Sequence, residues 1–164
     1  MKKIRLATIN DFPTMLNIFE NAREFMRNNG NGNQWGNRWP SEEILREDIK
    51  LGRSYLVVNE NDEILATYAY LTGIDPTYLK IWDGNWISNG PYVTIHRLAS
   101  SGKEGNIFSF IISEIEKQKI NIRVDTHKNN SFMINQLLKN GFQYCGIITC
   151  IEGGDRNAYE KIVK

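Results

Sequence analysis

The segment Ser100-Ser101-Gly102-Lys103-Glu104-Gly105-Asn106 joins a run that reads as a strand to a run that reads as a helix. Such a turn has the means to grip a phosphate. A helix start presents unpaired N–H groups and the positive end of the peptide dipole. Glycine lets the backbone approach an anion closely, and Lys103 adds charge, so the turn suits a pyrophosphate. His96 and His127 are the chain's 2 histidines. An imidazole, with an ordinary pKa of about 6.5, suits a base at neutral pH; it equally suits a hydrogen-bonded structural role. Other chemistries find no support. No GxGxxG follows a strand and no GxxxxGK[ST] occurs. Neither CxxC nor HExxH is present, so no metal site is expected.

The elements that must position these residues follow from apolar periodicity. Strands are expected at Lys3 to Ala7, Ser54 to Asn59, Glu63 to Thr72, Tyr92 to Leu98, Asn121 to Thr126, Phe142 to Cys150 and Arg156 to Ile162. Helices are expected from Asp11 to Arg27, Ser41 to Leu51, Glu104 to Lys119 and Asn130 to Asn140, the last ended by Gly141. The Glu104 helix should bury Ile107, Phe108, Ile111, Ile112 and Ile115. The Asn130 helix should bury Met133, Ile134, Leu137 and Leu138. The stretch Asn28 to Pro40, rich in Asn and Gly, reads as a surface loop that its tryptophans either pin to the body or hold over a pocket. Two strands flanking the Glu104 helix suggest a right-handed crossover, and the hairpins suggest antiparallel pairing elsewhere. The expected class is α/β or α+β, a mixed sheet with helices on both faces.

Composition narrows the setting. A chain of 164 residues suits one domain, 1–164, with a self-sufficient core. With 20 basic and 19 acidic residues, no strong field steers it to nucleic acid or a membrane surface. No apolar run is long enough to span a bilayer, and Met1-Lys2-Lys3 is not followed by a signal-like apolar stretch. Cys145 and Cys150 fall on one strand at a spacing that points them to opposite faces, which argues against a mutual disulfide. A reduced, cytoplasmic protein is expected.

The run YVTIHRLASSGKEGNIFSFIISEIEKQKINIRVDTHKNNSFMINQLLKNGFQYCGII resembles the cofactor-binding core of the GCN5-related N-acetyltransferase (GNAT) family. IRLATINDFPTMLNIFENA and SYLVVNENDEILATYAYL resemble that family's first strand, first helix and following hairpin, so the likeness covers nearly the whole chain. HRLA and the DTHKNN to NGF segment are its most specific parts. The resemblance implies a mostly antiparallel sheet splayed between two parallel strands, and acetyl-coenzyme A as co-substrate. It places the pantetheine arm on Leu98, Ala99 and Ser100, and the pyrophosphate on Lys103, Gly105, Asn106, Ile107 and Phe108. Asn130, with Met133 in the same motif, would reach the pantetheine. An unpaired strand edge is physically suited to a ligand that itself resembles a peptide.

Two departures stand out. The family's phosphate loop is matched only at Gly105, and the loop looks shortened. The position of the family's usual tyrosine acid is Leu137. For the base, His96 is the first candidate. Trp35, Trp39, Tyr70 and Trp86, with Tyr68 and Trp82, come from segments that the family places over its acceptor channel. Aromatic walls suit an apolar or cationic small molecule; they also suit a plain core or a homodimer contact. The expected reaction is transfer of an acetyl group to the amine of a small molecule by direct attack on the thioester. The rivals are an acyltransferase using a different acyl group or an oxygen acceptor, an acetyltransferase acting on a protein N-terminus or lysine, a non-catalytic acyl-coenzyme A sensor, and a purely structural domain.

Overall fold

The computed structural model describes residues 1–36, 39–151 and 153–164. The strands are β1 (Lys3–Leu6), β2 (Ser54–Val58), β3 (Ile64–Thr72), β4 (Tyr92–Ser100), β5 (Asn121–Thr126), β6 (Gln143–Thr149) and β7 (Asp155–Lys161). The helices are α1 (Phe12–Asn28), α2 (Gly32–Trp35), α3 (Glu42–Lys50), α4 (Ile107–Glu116) and α5 (Ser131–Lys139). The seven strands form a mixed sheet in the order β1-β2-β3-β4-β5-β7-β6. β4 and β5 are parallel, joined through α4. β1–β2, β2–β3, β5–β7 and β6–β7 are antiparallel.

The chain divides into two compact units. The first is Met1–Tyr70 with His96–Ile107. Its core gathers Phe12, Met15, Ile18 and Phe19 from one stripe of α1, with Trp35, Leu45, Leu56, Val58, Ile64 and Ala99. α3 starts as its sequence dictates: Ser41 Oγ accepts from the Ile44 N–H at 3.2 Å, and Glu42 and Glu43 lie at the positive end of the dipole. The expected loop over Asn28 to Pro40 contains α2, and Trp35 is buried against Phe19 with ring centroids 5.8 Å apart. Residues 37 and 38 of that stretch lie outside the described residues.

The second unit is Leu71–Ile95 with Phe108–Lys164. α4 buries the five expected apolar side chains. It begins at Ile107 rather than Glu104, because Asn106 adopts a left-handed φ of 59° that cannot continue a helix backward. α5 buries Leu137 fully but leaves Leu138 exposed, so its inward stripe is narrower than expected. The helix ends in a Schellman turn. Gly141, at φ 85°, donates to Leu138 O at 3.1 Å, and Phe142 donates to Leu137 O at 3.0 Å.

The long segment between β3 and β4 is fixed by buried polar bonds. Tyr78 and Trp86 pack with Tyr92, Ile148 and Ala158. Trp82 exchanges two backbone hydrogen bonds of 2.8 Å with Ile147. That approach needs glycine on both sides. A Cβ on Gly84 would lie 2.1 Å from Cys145 O, and one on Gly146 would lie 2.4 Å from Trp82 O. The pairing of β6 slips between Tyr144 and Gly146, which makes Cys145 the bulge residue; Cys150 lies past the strand's end, and neither cysteine is in a disulfide.

Candidate active site

The parallel ladder of β4 and β5 has three pairs, Tyr92–Asn121, Val93–Ile122 and Thr94–Arg123. Past Thr94, β4 runs on to Ser100. Just past its end the Ser101 N–H donates to Leu65 O of β3 at 2.8 Å. Leu98, Ala99 and Ser100 all lie on this final stretch, two residues longer than the sequence predicts. His96 opens it, half-buried, directly before Arg97 at a left-handed φ of 52°.

Residues 101–106 follow, with Gly102 at φ 80° and Asn106 at φ 59°. Two loop amides are taken by serines: Gly102 N–H donates to Ser100 Oγ and Lys103 N–H to Ser101 Oγ, each at 3.2 Å. No acidic side chain stands in the first turn of α4, whose leading amides the helix cannot satisfy itself. Open space surrounds the position of a Cβ at Gly102 and at Gly105. Ile107 and Phe108 are buried, so only their backbone faces outward chemistry. The loop therefore fits a pyrophosphate by its amides. Two nearby lysines are committed elsewhere: Lys103 pairs with Glu63, whose carboxyl it holds below the usual range, and Lys2 pairs with Glu104 at 3.5 Å. Both ion pairs are exposed and are worth little against a phosphate.

In the second unit Asn130 is the N-cap of α5. Its Oδ1 accepts from the Met133 N–H at 3.2 Å, and its Nδ2 donates to Thr126 Oγ1 at 3.0 Å. Met133 is half-buried one turn on. Asn130→Ala is expected to cost about 1 kcal/mol of stability, with Asn130→Ser recovering most of it, as urea unfolding would measure.

The aromatic candidates fall into three packing groups. Trp35 and Trp39 belong to the first unit's core, and Trp39 is partly buried there. Tyr70 meets Tyr55 edge-on at 5.9 Å, and Tyr68 stacks on the same ring. Trp86 is engaged on every side: its Nε1 donates to Tyr78 O at 2.9 Å, its ring lies 5.0 Å from Tyr78, and the Arg123 guanidinium sits over it at 4.1 Å. Leu137, at the expected acid position, is completely buried and part of the core.

Sequence reasoning missed the buried charge around these elements. Asp48 is 2% exposed and accepts from Arg53 and Arg97. Asp125 accepts from the buried Tyr78 hydroxyl at 2.6 Å; burial first, then Asp125, pushes that phenol well above its ordinary pKa. A signal existed for Asp48, which falls on the inward stripe of α3 with Leu45. None was visible for Tyr78. Among the described residues no cluster of three or more His, Cys, Asp or Glu could hold a metal, and no helix is long and apolar enough to cross a membrane.

No protein-family model and no curated protein matches the chain. Solved structures do. A GNAT-family acetyltransferase from Streptococcus agalactiae is 29% identical, covers 99% of this chain and 96% of its own, and superposes with a TM-score of 0.86. One from Listeria monocytogenes is 18% identical, covers 98% of this chain and 94% of its own, with a TM-score of 0.70. The ribosomal-protein-S18-alanine N-acetyltransferase of Escherichia coli is 14% identical, covers 100% and 95%, with a TM-score of 0.61. The last two show the fold alone. The fold is that of the GCN5-related N-acetyltransferases, and the resemblance carried by HRLA and by the Asp125 to Phe142 segment is borne out.

Proposed function

We propose that this chain is an acetyl-coenzyme A-dependent N-acetyltransferase that acts on the amine of a small molecule by direct attack. The observation that carries the reading is the final stretch of β4. It leaves its parallel ladder at Thr94 and runs directly into an amide-rich, glycine-bearing helix entrance. In this reading the backbone of Leu98, Ala99 and Ser100 aligns the pantetheine arm. Lys103, Gly105 and the leading amides of α4 hold the pyrophosphate. Acetyl-coenzyme A supplies the acyl group as an activated thioester. His96 removes the proton that keeps the acceptor amine from attacking. Backbone N–H groups of β4 stabilise the oxyanion, and holding both reactants together supplies much of the remaining rate. Trp39, Tyr70 and Trp86 are partly exposed and Trp82 is exposed, so these are the aromatic candidates for an acceptor wall.

One observation favours a second reading, a cofactor-binding sensor without turnover: Leu137 stands where the family's acid would be. Acetyl-coenzyme A at 100 times its dissociation constant is expected to stabilise the protein by about 2.7 kcal/mol. That raises Tm by roughly 5–11 °C for a chain of this size. No shift at millimolar cofactor excludes both readings. Thiol release on a panel of amines, amino acids and short peptides then separates them: binding without release on any acceptor leaves the sensor. The peptides matter because the Escherichia coli neighbour acts on a ribosomal protein.

A further inference from the structure

β4 is kinked in the middle, and its sequence does not explain the kink. Arg97 stands at φ 52°, a left-handed conformation that residues bearing a Cβ avoid and glycine adopts freely. Arginine has no local means of stabilising it, so the surroundings must. The holder is Asp48 of α3. Arg97 Nε donates to Asp48 Oδ2 at 2.7 Å and Arg97 Nη2 to Oδ1 at 3.0 Å, a bidentate grip. Arg53 Nε donates to Oδ1 from the residue before β2, at 2.6 Å, and the carboxylate is 2% exposed. One buried carboxylate thus ties α3, the approach to β2 and the kink of β4 together. Leu98, Ala99 and Ser100 follow directly from the peptide that Arg97 turns.

We propose that Asp48, acting through Arg97, is a positioning residue that holds the left-handed kink and so sets the backbone of Leu98, Ala99 and Ser100 against the acyl donor. The inference rests on the acetyl-coenzyme A reading above. Asp48 itself touches no substrate.

Glycine and alanine at position 97 both remove the guanidinium, but alanine disfavours the left-handed conformer by roughly tenfold. Steady-state kinetics of the full chain, well below each variant's Tm, separate the two contributions. Arg97→Gly is expected to keep KM for acetyl-coenzyme A within about threefold of wild type, whereas Arg97→Ala raises it about tenfold with a smaller change in kcat. Asp48→Asn is expected to raise KM similarly, and adding Arg97→Gly to it to bring KM back down. A salt bridge that serves folding alone makes the glycine and alanine variants equal and leaves the double variant no better than Asp48→Asn. Either result overturns the inference. If Asp48→Asn does not fold, the two Arg97 variants decide, because each leaves Asp48 paired with Arg53. Wild-type protein that shows no thermal shift with acetyl-coenzyme A overturns the functional reading and this inference together; a wild-type shift with equal KM across the variants overturns this inference alone.

Discussion

Replacing Glu160 by glutamine is expected to lower the free energy of unfolding by about 3–5 kcal/mol, the cost of stranding a buried charge. The Glu160 side chain is completely buried on β7. Its Oε2 accepts from Arg123 Nε at 3.0 Å, and its Oε1 accepts from the Ile87 and Ser88 amides at 2.8 and 3.2 Å. Arg123 is held further by Ser88 O at 2.5 Å and lies between the rings of Trp86 and Tyr92, at 4.1 and 4.0 Å. Glutamine keeps the shape and one acceptor but removes the charge. Arg123 is then buried with neutral partners only. At roughly 2–4 °C per kcal/mol, Tm falls by about 6–20 °C, which a thermal melt reads directly. The double change Arg123→Met with Glu160→Leu is expected to be milder than the single one, because no charge is left behind. A single variant melting within about 2 °C of wild type would show that the pair adds nothing to the fold.

His96→Ala is expected to lower kcat by 10²–10⁴, the usual contribution of a general base, with little change in KM for acetyl-coenzyme A. The motive is position: His96 lies half-buried on β4, immediately before the kink and two residues before the edge assigned to the donor. A variant that keeps full kcat would remove His96 from the mechanism.

Much of the fold is legible in the sequence because its elements carry strong local signals. Ser41 before Glu42 and Glu43, and Asn130 and Gly141 around an apolar helix, mark ends that the backbone then respects. The five buried residues of α4 follow a period that only a helix satisfies. The elements proposed to hold the donor are legible for the same reason, since a strand, a glycine turn and a helix start are contiguous in the chain. The misreadings lie where the deciding contact is distant. The late start of α4 depends on the backbone angle of Asn106, which no periodicity reports. The kink at Arg97 depends on Asp48, separated from it by two strands. Leu138 has the same apolar character as Leu137, and only the packed structure distinguishes them. The aromatic residues are the least legible. Trp35 is buried against Phe19 while Trp86 is half-buried on Tyr78, a difference that composition does not report.

The reciprocal bonds between Trp82 and Ile147 close over two glycines, one on each chain segment. This junction is keyed by missing atoms, so its tolerance to variation is unlike that of the apolar core. A core position accepts neighbours of similar volume. Gly84 and Gly146 have no smaller or equal substitute among the twenty residues. A randomised library selected for folded protein should therefore return a single letter at both positions and a broad alphabet at the exposed Asn85 that follows Gly84. The information that docks this segment is carried in two codons that encode no side chain at all.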